Sequence, residues 1–174
     1  MWMKLDLDGI IFHFRICGYR VSTPAWDVEW SRVDFTLKSG DWLNYQVHDT
    51  ELLLMCEIEE LQKKLQDLIS DKLTDAERIE FLEPDLACVL YPKKNLRFDS
   101  NDLCIAQGYG TADISMELEV AFWYGGLTAN RLNLFLDRQD IETMLCYLNV
   151  ITGRLNISDK VVQEFIHRNV FYCD

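Results

Sequence analysis

Two pairs of alternating segments constrain this chain most, because a period of two decides both that the segments are strands and how their hairpins must close. Val33, Phe35 and Leu37 alternate with Arg32, Asp34 and Thr36; beyond Ser39-Gly40-Asp41, Leu43, Tyr45 and Val47 alternate with Trp42, Asn44 and Gln46. Such spacing gives a strand one buried and one wet face. A two-residue turn at Ser39-Gly40 would set Leu37 against Trp42 and Phe35 against Asn44, mixing the faces. A three-residue loop over 39–41 sets Leu37 against Leu43 and Phe35 against Tyr45, and is the expected closure. In the second pair, Ile114, Met116, Leu118, Val120 and Phe122 share one face, and Leu132, Leu134 and Leu136 another across Gly125-Gly126. An odd loop places Val120 opposite Leu132 and Leu118 opposite Leu134, where an even one would put leucine against Glu119.

Other strands follow the same signal. Phe12, Phe14 and Ile16 alternate with His13, Arg15 and Cys17 up to a bend at Gly18. Arg78 to Leu82 and Leu86 to Tyr91 flank a turn at Glu83-Pro84-Asp85. Residues 92–113 lack a sustained period and read as a long loop with room for one short strand. Helical spacing enters at Leu54, Ile58, Leu61, Leu65 and Leu68, which form one stripe amid Glu57, Glu59, Glu60, Lys63, Lys64 and Asp67. Asp137 or Asp140 can cap a second helix carrying Ile141, Leu145, Leu148 and Ile151 and stopping at Gly153. A third starts at Ser158, with Val161, Val162, Phe165 and Ile166 on its apolar edge. The expected architecture is one α+β domain over 1–174. Antiparallel hairpins form one or two packed sheets, with helices near 55–70, 138–152 and 158–171.

Composition narrows the function. The 29 Asp and Glu against 17 Lys and Arg leave a net charge of −12, which phosphate backbones repel, so nucleic acid is not an expected direct partner. Two acids interrupt Met1-Trp2-Met3-Lys4-Leu5-Asp6-Leu7-Asp8 where a secretory signal needs an apolar run, so a cytoplasmic location is expected. The longest uncharged stretches, such as Thr143 to Gly153, fall far below the roughly 20 apolar residues of a membrane span. Cysteines 17, 56, 88, 104, 146 and 173 form no CxxC pair and mostly sit beside apolar residues, as reduced core thiols do.

Chemistry finds little to work with. His13, His48 and His167 are far apart in the chain and form no HExxH-like pair, so no metal is expected. No GxSxG elbow is present, and Gly108-Tyr109-Gly110 lacks the third glycine, lysine and following helix of a phosphate loop. Glu117 and Glu119 lie two apart on one strand face, as glycosidase carboxylates can, but they also fit the solvated side of a half-buried strand. Neither a catalytic site nor a cofactor is expected.

Charge is unevenly placed. Between Asp49 and Asp85 there are 12 acids and four bases, a net −8 that accounts for two thirds of the excess in about a fifth of the chain. The plain reading is a solvated helix face followed by an acidic loop. The functional one is a surface for a basic partner, whose encounter such charge would speed and orient.

Ordered along the chain are Ile16-Cys17-Gly18-Tyr19, Trp26-Asp27-Val28-Glu29-Trp30, Gly40-Asp41-Trp42, Leu52-Leu53-Leu54 running into Glu57-Ile58-Glu59-Glu60-Leu61, and Phe81-Leu82-Glu83-Pro84-Asp85-Leu86. Over roughly residues 10–136 this resembles the WapI family of bacterial immunity proteins. The resemblance implies a small, non-catalytic cytoplasmic protein that blocks the toxin domain of its own system, and an acidic inhibitor suits a basic toxin. The sequence departs from the family pattern at Val47-His48-Asp49-Thr50-Glu51, in the acidic connection Asp71 to Glu77, and in the unmatched C-terminal helix 158–171. A rival reading is a small-molecule or peptide binding module lined by the many aromatics; a third is a hydrolase using Glu117 and Glu119.

The expected partner-binding residues are Trp26, Asp27, Glu29, Trp30, Glu57, Glu60, Glu83 and Asp85. Trp26 and Trp30 flank acids in a segment bounded by Pro24 and the strand near Arg32, which suits an exposed loop with aromatic anchors. The alternative is that one or both tryptophans fold back over the sheet edge.

Overall fold

The computed structural model describes residues 1–21, 29–92, 114–123 and 126–173. Its elements are β1 (Trp2–Leu7), β2 (Ile10–Cys17), β3 (Trp30–Ser39), β4 (Leu43–Leu54), α1 (Met55–Ile69), β5 (Glu77–Glu80), β6 (Leu86–Leu90), β7 (Met116–Trp123), β8 (Leu127–Leu136), α2 (Arg138–Ile151), α3 (Lys160–His167) and β9 (Phe171–Tyr172). Two antiparallel sheets, ordered β4-β3-β2-β1-β9 and β5-β6-β7-β8, together with three helices make this an α+β fold. The expectation for residues 93–113 and the side chains of Trp26 and Asp27 lie outside the described residues.

Alternation builds both sheets. Phe12, Phe14, Ile16, Val33, Phe35 and Leu37 turn into a core shared with Leu86, Cys88, Leu90, Met116, Leu118 and Val120 of the other sheet, and Ile58 and Leu65 of α1 and Ile141 and Leu145 of α2 join it. Burying a full-sized apolar side chain contributes roughly 1.5–3 kcal/mol, so a core of this extent is the main driving force for the fold. Gln62, fully buried on α1, ties the helices together by donating its Nε2–H to Asn149 Oδ1 and Thr152 Oγ1, each at 2.8 Å. No described helix is long and apolar enough to cross a membrane.

The second hairpin has the expected register, with Leu118 opposite Leu134 and Val120 opposite Leu132. The first keeps the expected parity but slides by two residues: Leu37 faces Tyr45, Phe35 faces Val47, and the loop is Gly40-Asp41-Trp42, not 39–41. Gly40 adopts φ +47°, a conformation costly for other residues, so β3 continues through Ser39 before the chain turns. Asp137 is the N-cap of α2, accepting from Asp140 N–H at 2.8 Å, while Asp140 returns the bond to Asp137 N–H at 3.1 Å.

Two further corrections concern the ends of the described chain. The third helix does not run over 158–171 but only Lys160–His167. Asn169 takes the left-handed conformation at φ +57°, and the chain reverses so that Phe171 and Tyr172 pair with Met3 and Trp2 of β1. Strand β1 itself was readable in Met3, Leu5 and Leu7, all buried, followed by Asp8-Gly9 at φ +51° and +90°. Asp-Gly is a strong signal for a two-residue hairpin turn, and Leu7 does pair with Ile10.

Candidate functional site

Strand β4 is an edge of the five-stranded sheet, and its second half is reshaped by irregularities against β3. The register shifts between Val33 and Phe35 and again between Ser31 and Arg32, leaving extra residues on β4 near 48–49 and at 52. The buried Asp34 organises the first shift. It accepts Asp49 N–H at 2.7 Å and Arg15 Nε–H at 2.7 Å. Burial penalises its charge, but the Asp49 amide and the Arg15 guanidinium outweigh that penalty and hold the carboxyl below its ordinary range. Asp49, at φ +49°, turns its side chain to Arg32, whose Nη2 donates to it at 3.0 Å and whose Nη1 lies 3.6 Å from Glu51.

The reshaped strand forms one wall of a cleft, lined by Tyr45, Gln46, Val47, His48, Thr50 and Glu51. Glu83 and Asp85 of the β5–β6 turn and Trp123 at the end of β7 form the other wall. Trp123 N–H donates to Tyr45 Oη at 3.3 Å, and the Tyr45 ring meets Phe122 edge-on at 4.8 Å, so the two sheets are clamped at the cleft's end. The turn is held from below by Glu57. Its Oε1 accepts Leu82 N–H at 2.6 Å and its Oε2 accepts Leu54 N–H at 2.8 Å, satisfying an otherwise orphaned donor at the start of α1.

Electrostatically the cleft is one-sided. It is lined by Glu51, Glu83 and Asp85, and no lysine or arginine is among its described lining residues. Asp85 is only 7% exposed. Burial pushes its carboxyl above the ordinary range, the Trp123 indole N–H works against that rise, and the Glu83 charge adds to it. Leu82 at the turn and Trp123 across it are 62% and 40% exposed, so apolar surface borders the acids.

The expected contact residues divide accordingly. Glu83 and Asp85 share the cleft, and Glu57 supports it from beneath. Trp30 pairs with Leu54, and Glu29 accepts Met55 N–H through its carbonyl at 2.9 Å while its carboxylate meets Arg20 at 3.2 Å, which places both at the start of α1. Glu60 projects from the exposed face of α1. Sequence reading missed Tyr45, His48, Thr50, Glu51 and Trp123 as lining residues, since no local pattern announces which strand edges will face each other.

The residues weighed for chemistry are committed elsewhere. Glu119 forks onto Arg78 at 2.5 and 2.8 Å, and that guanidinium holds its carboxyl below the ordinary range, the opposite of what a general acid needs. Glu117 accepts from Tyr91 Oη at 3.0 Å and from Asn133 at 2.6 Å. His13 bonds Tyr172 Oη; burial lowers its pKa, as do Lys4 and Lys38. Among the described residues no group of three His, Cys, Asp or Glu is placed to hold a metal. Cys17, Cys56, Cys88, Cys146 and Cys173 are free thiols, and burial raises Cys88 to about 12 and Cys146 to about 11, which leaves both unreactive at neutral pH.

Residues 3–156 match the model of the immunity protein WapI-like family, a span wider at both ends than the motif resemblance over 10–136 and ending ahead of α3. No curated protein matches the sequence.

Proposed function

The chain belongs to the immunity protein WapI-like family, and from that premise we propose that it binds and neutralises a basic bacterial toxin domain by stoichiometric occlusion in the cytoplasm. The observation that carries this reading is the cleft between β4 and the β5–β6 turn, where three acids and exposed apolar side chains stand together without a lysine or arginine among the described lining residues. Acids of this kind draw a cationic partner in quickly and orient it, while Trp123 and Leu82 supply surface to bury once it has docked. Glu29, Trp30 and Glu60 extend the proposed contact area toward the start of α1, and Trp26 and Asp27 stay among the proposed contacts on the sequence reading alone. Inhibition requires no turnover, since covering the toxin's substrate-binding surface is enough.

The enclosed apolar cavity offers a small-molecule ligand little room. The apolar cavity between the sheets, bordered by Phe12, Leu53, Phe81 and Met116, measures about 30 Å³, room for little more than a water molecule. The test is to purify the toxin domain encoded beside this gene, titrate it with the full chain, and follow toxin activity and complex mass. Complete inhibition at a one-to-one ratio is expected. Failure to form a complex, or inhibition that continues to rise beyond that ratio, would overturn the proposal.

A further inference from the structure

We propose that Tyr172 and Trp2 are positioning residues for the cleft, acting on its β4 wall from the opposite edge of the five-stranded sheet. The consequence for toxin binding rests on the proposed function; the effect on the wall does not. A line of contacts joins the two edges. Tyr172 of β9 stacks on Trp2 of β1, with ring centroids 6.3 Å apart and planes 8° from parallel. The Arg15 guanidinium lies over the Trp2 ring, 4.5 Å from its centroid. Arg15 donates Nε–H to Asp34 Oδ2 at 2.7 Å. Asp34 Oδ1 accepts Asp49 N–H at 2.7 Å and stands 3.7 Å from Nδ1 of His48, a lining residue of the cleft. Register places these side chains in one row. Tyr172 is opposite Trp2, Arg15 is opposite Asp34, and the Met3–Phe14 pair brings the two halves together. Their neighbours Phe171, Met3, Phe14, Val33 and Phe35 turn into the core, so the row lies on the other face of the sheet.

Each link constrains the next. An arginine side chain has many rotamers, and an aromatic face beneath the guanidinium holds it in the one that meets its carboxylate. Trp2 provides that face, and Trp2 is in turn fixed by the Tyr172 ring, whose hydroxyl bonds His13 Nδ1. Asp34 is buried, so a loosened Arg15 leaves a costly, poorly compensated charge. The carboxylate then recovers by hydration or by taking up a proton, and either change weakens its hold on the Asp49 amide. That amide is therefore where a change at β9 is felt in the cleft wall. Both rings lie outside residues 3–156, the part matched to the family, so the proposal is made for this chain and not for the family as a whole.

Amide hydrogen exchange of the ¹⁵N-labelled full chain provides the test. Tyr172→Ala should accelerate exchange of Asp49 N–H by about fivefold or more. Ala121 N–H, bonded to the Asp85 carbonyl at 2.8 Å in the other sheet, should stay within about twofold of the wild type and so separates the local effect from a general loss of stability. Tyr172→Phe keeps the stacked ring and should restore the wild-type rate at Asp49. Trp2→Leu removes the ring beneath Arg15 and should act as Tyr172→Ala does; it serves in place of that variant if the latter fails to fold. Against the toxin domain, Tyr172→Ala should lose roughly threefold to tenfold in affinity, and Tyr172→Phe should not. Unchanged exchange at Asp49, a rise no larger than that at Ala121, an equal effect of Tyr172→Phe, or undiminished toxin affinity where Asp49 exchange has accelerated overturns the proposal. Toxin inhibition by the wild type with unchanged Asp49 exchange in the variants removes the positioning role and leaves the proposed function standing; accelerated Asp49 exchange without any toxin inhibition by the wild type does the reverse.

Discussion

Asp34 Oδ1 accepts the backbone N–H of Asp49 at 2.7 Å across the β3–β4 ladder, so a buried carboxylate holds the irregularity that shapes one wall of the cleft. Because the same carboxylate pairs with Arg15 and its pKa lies below the ordinary range, its ionised form stabilises the fold. That contribution is present above the unfolded carboxylate pKa of about 4 and is lost as pH falls through the lower folded value. Asp34→Ala should cost about 2–4 kcal/mol at neutral pH by leaving Arg15 and the Asp49 amide without their acceptor, and should flatten the acid limb of the stability profile. Urea denaturation from pH 7 down to pH 2 checks it; an acid limb as steep as the wild type's would count against this role.

Asp140 predicts the opposite pH dependence. Burial raises its carboxyl to about 6, with the Asp137 amide opposing and the Asp137 and Asp8 charges reinforcing the shift. The folded state therefore favours the protonated acid, and stability falls as pH rises from the unfolded value near 4 through about 6. Asp140→Asn retains an oxygen to accept Asp137 N–H, so it should raise the melting temperature at pH 8 and give no gain at pH 4. Thermal melts at the two pH values decide it, and an equal effect at both would refute the assignment.

Glu57 uses both oxygens, one on Leu54 N–H and one on Leu82 N–H, 25 residues beyond it. Glu57→Gln keeps one acceptor oxygen and can serve only one of the two amides; Glu57→Ala serves neither. The expected cost is about 1 kcal/mol for glutamine and about 2–3 kcal/mol for alanine. Hydrogen exchange at Leu82 and Glu83 should accelerate in Glu57→Ala, and unchanged protection there would show that the turn does not depend on this contact.

Tyr147 is fully buried, and its hydroxyl accepts Ile16 N–H at 2.9 Å while donating to the Met1 carbonyl at 3.3 Å. Tyr147→Phe preserves the ring packing against Phe14 and Phe171 but strands that amide and carbonyl. A loss of about 1–3 kcal/mol is expected, with the toxin affinity of the folded protein unchanged, because the residue lies away from the cleft. Chemical denaturation and a binding titration test the two halves separately.

Residue patterns specify structure locally. Alternation at 33–37, 43–47 and 116–136 specifies strands and the parity of their loops, because a slip of one residue would turn every buried side chain into water. The stripes at Leu54 to Leu68 and Ile141 to Ile151 specify α1 and α2 for the same reason. A slip of two residues leaves the faces intact, so alternation could not distinguish Leu37 opposite Leu43 from the observed Leu37 opposite Tyr45; the conformation of Gly40 and the continued pairing of β3 decided it. The tertiary structure alone decided which distant pieces meet. Phe171 and Tyr172 reach β1 from the far end of the chain, Glu57 fastens a turn that follows it by 25 residues, and Trp123 comes to rest beside Asp85. Such encounters depend on how two sheets and their helices share one core, and no periodicity within a segment encodes which edges that packing leaves face to face. The acidic excess between Asp49 and Asp85 was visible from the start, yet only the folded chain shows that Glu51, Glu83 and Asp85 line one cleft while Glu57 is spent on two backbone amides and Glu77 on Lys64.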